Sequence, residues 1–75
     1  MRRFDRITID PQQVGGAPCI RRLRIPVATV VGLVAQGLTP QQVITELPDL
    51  EVEDVRQALE YAAEAVRERQ LPLAG

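Results

Sequence analysis

The residues here with the strongest chemistry are arginines. All nine basic residues of the chain are arginine, and Arg21, Arg22 and Arg24 fall inside GGAPCIRRLRIPV, positions 15 to 27. A planar guanidinium fork suits carboxylate or phosphate, so the stretch offers recognition of an anion. Bond-making chemistry has little to draw on. The chain has no histidine, serine or lysine, and one cysteine, Cys19. Nucleophile–base pairs and metal cages are therefore not expected. Glu60 and Glu64 lie one helical turn apart, but among so many acids they read as a solvated face. The Gly15–Gly16–Ala17–Pro18 loop lacks the G-K-[ST] ending of a phosphate-binding loop. The expectation is a protein that is not an enzyme and uses no cofactor and no metal.

The net charge of −1 conceals an asymmetry. Residues 1–24 carry six arginines (2, 3, 6, 21, 22 and 24) against Asp5 and Asp10, a balance of +4. Residues 46–75 carry eight acids against Arg56, Arg67 and Arg69, a balance of −5. A basic front and an acidic back point to electrostatic recognition by at least one end.

The elements that must position these charges are legible from periodicity. Residues 6–10, RITID, alternate like a half-buried strand, and Pro11 stops it. The following loop contains Gly15 and Gly16, which are free to adopt positive φ. Residues 22–25, RLRI, alternate again and predict a second strand with Arg22 and Arg24 outward. Pro26 suits the first position of a helix. Val27, Val30, Val31 and Val34 follow at helical spacing, and Gly37 supplies the stop. Gly32 inside this helix implies a close neighbour. Thr39, Pro40 and Gln42 form a capping box for a short helix with Val43, Ile44 and Leu47 buried, ended by Pro48. A third helix starts near Glu51 or Val52 and runs to about Arg69, with Val52, Val55, Leu59, Ala62 and Val66 on its apolar face. Arg56 with Glu60, and Glu64 with Arg67, can pair across one turn of it.

The fold expected is mainly α: a three-helix helix-turn-helix core preceded by two short β-strands. It is one domain over 1–75, with a strand-loop-strand segment (1–25), the helical core (26–69) and a tail (70–75). A chain this small buries only about 60–65% of its unfolded surface, so association as a homodimer or higher oligomer is expected. Cys19 reads as a small apolar filler beside Ile20. A lone cysteine and the lack of a membrane span or signal-peptide pattern predict a cytoplasmic protein.

Gly15, Gly16, Pro18, Ile20, Arg24, Ile25, Pro26 and Val27, followed by Gly37, Thr39 and Ile44, resemble the small prokaryotic family called domain of unknown function 433. The likeness covers roughly residues 7–63. The family pattern there runs G-G-x-P-x-I-x-G-x-R-I-P-V, so Arg22 replaces a glycine; Glu51 stands where a Ser or Thr N-cap is usual. The resemblance implies a homeodomain-like fold and a role as an antitoxin, often encoded beside a PIN-like nuclease toxin. Nucleases of that type hold metal with a carboxylate cluster, which an arginine fork could plug.

Three uses of the arginines stay open. The helix after the turn normally enters the major groove, yet its start here, EVEDV, would be repelled by phosphates. DNA contact, if made, falls to the front arginines, including Arg2 and Arg3. Alternatively Arg21, Arg22 or Arg24 grips a toxin's carboxylates, or Arg22 and Arg24 are solvated positions of an edge strand. For Arg24 an internal bridge to Glu60 or Glu64 is preferred, leaving Arg21 and Arg22 for an external ligand. The remaining alternatives for the whole chain are a stand-alone DNA-binding regulator and a dimerisation module that binds no DNA.

Overall fold

Ile7 and Ile9 place their side chains on one side of a three-residue strand, β1 (Ile7–Ile9), which opens the fold. The computed structural model of the chain describes residues 4–68. A 3-10 turn at Val14–Gly16 leads to β2 (Pro18–Ile20), then α1 (Val27–Ala35), α2 (Pro40–Glu46) and α3 (Val52–Glu68). The strands are antiparallel, with Ile7 opposite Ile20, Thr8 opposite Cys19 and Ile9 opposite Pro18. Gly15 and Gly16 hold φ of 63° and 83°, the left-handed backbone this turn requires. The chain is mainly helical, as the periodicity predicts.

Local devices bound α1 and open α2. Pro26 occupies the N-cap of α1 with φ −65°. At the other end Gly37 takes φ 103°; its N–H donates to the Val34 carbonyl and that of Leu38 to the Leu33 carbonyl. This doubly bonded left-handed exit leaves few orphan carbonyls. The Thr39 hydroxyl accepts from the Gln42 N–H while the Gln42 side chain accepts from the Thr39 N–H, with Pro40 next in line. The capping box is formed as the sequence predicts.

The core is aliphatic: Ile20, Val27, Val30, Val43, Leu50, Val55 and Ala58. Cys19 is buried beside Ile20. Full burial of one such Val or Ile is worth about 1.5–3 kcal/mol, so seven mostly small side chains make a thin core. Polar anchoring matters more here than in a larger domain.

Two expectations are corrected. Gly32 faces open space: a Cβ placed there meets nothing within 4 Å. The buried face of α3 is also turned from the predicted one. Val52 and Val66 are 42% and 60% exposed, while Asp54 and Gln57 are buried. Residues 54, 55 and 58 look inward, a face centred closer to Asp54 than a count of apolar residues suggests.

Candidate functional site

The arginine segment is a turn, not the strand predicted over residues 22–25. Cys19 pairs with Thr8 on one side and bridges Pro26 on the other. The Ile20 N–H donates to the Ile25 carbonyl at 2.9 Å. The chain must therefore reverse within residues 21–24. The Leu23 N–H closes the reversal on the Ile20 carbonyl at 2.7 Å, with Arg21 and Arg22 at φ 42° and 64° and Arg24 at 62°. Positive φ at both central positions marks a hairpin turn that usually takes Asn-Gly. An arginine there has a Cβ working against the left-handed backbone, at roughly 1–2 kcal/mol per residue. The glycine of the family pattern at position 22 has this geometric meaning.

The three arginines of the turn go different ways. Arg21 runs back over the start of α3. Its Nε donates to Asp54 Oδ1 at 2.9 Å, and Nη2 donates to Asp54 Oδ2 at 2.8 Å and to the Asp49 carbonyl at 2.9 Å. Arg21 is thus engaged internally. Arg22 and Arg24 are exposed. Among the described residues neither side chain makes an ion pair or hydrogen bond; only the Arg22 backbone N–H is held, by Thr8 Oγ1 at 3.1 Å. The bridge expected from Arg24 to Glu60 or Glu64 does not form. Those acids are nearer to arginines of their own helix, Glu60 to Arg56 and Glu64 to Arg67, the two pairs predicted from spacing. Arg2 and Arg3 lie outside the described residues.

Asp54 is the hub beneath the turn, with no exposed side-chain area. Besides Arg21 it accepts from Arg6 Nη1 at 3.0 Å and from the Glu51 N–H at 2.7 Å. That last bond is one half of a capping box, so the third residue of the α3 cap does what a Ser or Thr at position 51 would otherwise share. Glu51 instead spends its carboxylate on Arg6 at 2.7 Å. Burial pushes the Asp54 carboxyl up, but Arg21, the Glu51 N–H and Arg6 together outweigh it and hold the group at about 2. Both arginines are held more firmly protonated in return, Arg6 by Glu51 and Asp54 and Arg21 by Asp54. Gln57 completes the attachment of β1 to α3. It accepts the Arg6 N–H at 3.1 Å and donates to Asp5 at 2.7 Å.

Sequence reasoning missed Asp54, Gln57 and Arg6. The only signal for them was an acid and an amide three residues apart, flanking the apolar stripe. Pro18 begins β2, Gly15 and Gly16 shape the 3-10 turn before it, Pro26 caps α1, and Thr39 and Pro40 cap α2. Among the described residues, no group of three or more His, Cys, Asp or Glu could hold a metal ion, and no helix is long and apolar enough to cross a membrane.

The family profile described as "Protein of unknown function (DUF433)" matches residues 7–62, which contain the strand pair, the turn, α1, α2 and most of α3. The chain belongs to the DUF433 family. The crystal structure of a DUF433 member from Anabaena variabilis ATCC 29413 is similar, with a TM-score of 0.76 and 33% identity, over 84% of this chain and 62% of that one. "Uncharacterized protein y4eO" of Sinorhizobium fredii (strain NBRC 101917 / NGR234) is 36% identical over 56 residues, 75% of this chain. The DUF433 chain spans about a quarter of that relative's length.

Proposed function

We propose that this DUF433 chain is a non-catalytic, cytoplasmic antitoxin that holds a PIN-like nuclease toxin by pressing Arg22 and Arg24 against the toxin's carboxylates. The supporting observation is the contrast within one turn. Arg21 is spent on Asp54, while Arg22 and Arg24, one residue apart, stand exposed without an ion partner among the described residues. Charge-assisted forks of this kind are strong where a partner removes them from water. The start of α3 is a poor guest for DNA: Glu51 and Glu53 flank it, and Arg6 and Arg21 are tied down on Asp54. Operator binding, where it occurs, then uses the same two arginines.

Co-expression with the product of a neighbouring nuclease reading frame tests this reading. The complex should co-purify and the nuclease should be silenced; the Arg22→Ala/Arg24→Ala double variant should lose both, and Arg56→Ala should keep both. Full neutralisation by the double variant contradicts the proposal. Steeply salt-dependent binding of upstream DNA by the chain alone, with no partner retained, supports the stand-alone regulator instead.

A further inference from the structure

β1 has an outer edge that is complementary to itself. The Arg21 N–H donates to the Arg6 carbonyl at 2.9 Å, so the Arg6 carbonyl and, two residues on, the Thr8 backbone groups face β2, while the Arg6 N–H goes to Gln57. Ile20, opposite Ile7, spends its own N–H and carbonyl on Ile25 and Leu23, away from β1. By the same alternation Ile7 and Ile9 turn their polar groups to the outer edge. There the Ile7 N–H makes a 3.3 Å bond to the Phe4 carbonyl. The Ile9 side chain is 60% exposed. Once the Ile7–Phe4 bond opens, an edge of this kind is a template for another strand.

The sequence of the edge selects which strand. Arg6-Ile7-Thr8-Ile9-Asp10, laid antiparallel on itself about Thr8, sets Ile7 opposite Ile9 and Arg6 opposite Asp10, each twice. Arg6 commits only Nη1 to Glu51 and Asp54. The Asp10 carboxylate accepts only the Gln12 N–H among the described residues. Both therefore retain hydrogen-bonding capacity for the new pair. Neighbouring registers lose this match: centring on Ile7 sets Ile9 against Asp5, and centring on Ile9 sets Ile7 against Pro11, which has no N–H.

We propose that the chain forms a twofold dimer by antiparallel pairing of β1 with β1 of a second copy, centred on Thr8. The two strand pairs become one four-stranded sheet, and each Ile9 lies beside Ile7 of the other copy. The interface is isologous and closes after two copies. It leaves Arg22 and Arg24 free at opposite corners and does not depend on what they bind.

Sedimentation of the full chain tests the interface. Wild type and Val66→Lys, a control at another strongly exposed aliphatic, should sediment as dimers. Ile9→Lys should be a folded monomer by helical circular dichroism, and Asp10→Arg should weaken association by about tenfold or more. Exchange of the Ile9 amide should slow as concentration rises, a readout needing no substitution. A wild type still monomeric near about 1 mM, a dimer abolished by Val66→Lys, a folded Ile9→Lys dimer, or an Ile9 amide indifferent to concentration each overturns the proposal.

Discussion

Arg21 meets Asp54 side-on, its Nε and Nη2 donating to the two carboxylate oxygens at 2.9 and 2.8 Å, across 33 residues of chain. This pair joins the turn between β2 and α1 to the start of α3. It fixes the direction in which the next residues leave. Asp54 is wholly buried and also receives Arg6, so its removal leaves Arg21 without an ion partner and Arg6 with Glu51 alone. Asp54→Asn should destabilise the chain by about 3 kcal/mol, because breaking a buried ionic pair leaves charge without compensation. In a chain this small that is a fall of roughly 12–24 °C in melting temperature. Arg21→Lys should also lower it, since an ammonium cannot reproduce the fork. Thermal unfolding followed by circular dichroism reads both.

The same carboxyl sets an acid limit. Asp54 is held at about 2 in the fold, below the ordinary value of 3.8. A depressed carboxyl contributes stability that is fully present above the unfolded value and is lost as pH falls through the folded one. The contribution, on the order of 2 kcal/mol, should therefore disappear between about pH 4 and pH 2. Glu53, held at about 2 by Arg56, adds to the slope in the same direction. Urea unfolding across this window should show a steep loss for wild type and a clearly shallower one for Asp54→Asn.

Two glycines should respond in opposite senses. Gly32 lies inside α1 with open space where an added methyl group would sit, so Gly32→Ala should stabilise by about 1 kcal/mol. Gly37 sits at φ 103°, so Gly37→Ala should destabilise by about 1 kcal/mol although space is available. Paired denaturant titrations decide it.

How much of this was legible follows from the range of each interaction. The Thr39–Pro40–Gln42 cap and the Gly37 exit are set within a few residues, and the sequence predicts both. The Arg56–Glu60 and Glu64–Arg67 pairs are set within one helical turn and were equally readable. Asp54 was not. It is one of eight acids in the second half of the chain, and nothing local marks it as buried. The turn misled for a different reason: Arg22, Leu23, Arg24 and Ile25 alternate as a strand does. The left-handed backbone of Arg21, Arg22 and Arg24 is imposed by pairing on both sides of β2, with β1 and with Pro26. The expected assignments of Arg21 and Arg24 were exchanged as a result. The distant acid captured the arginine nearest β2, and Arg24 was left to solvent.

The central claim is that the turn shows Arg22 and Arg24 outward against their backbone preference because they grip an acidic partner. Glycine at either position keeps the turn and removes the side chain, so stability and binding should move apart. The decisive measurement is a calorimetric titration of the proposed nuclease partner with wild type and with Arg22→Gly/Arg24→Gly, alongside their melting curves. The account predicts a double variant that melts higher and binds at least about tenfold more weakly. A double variant that binds as tightly as wild type contradicts it.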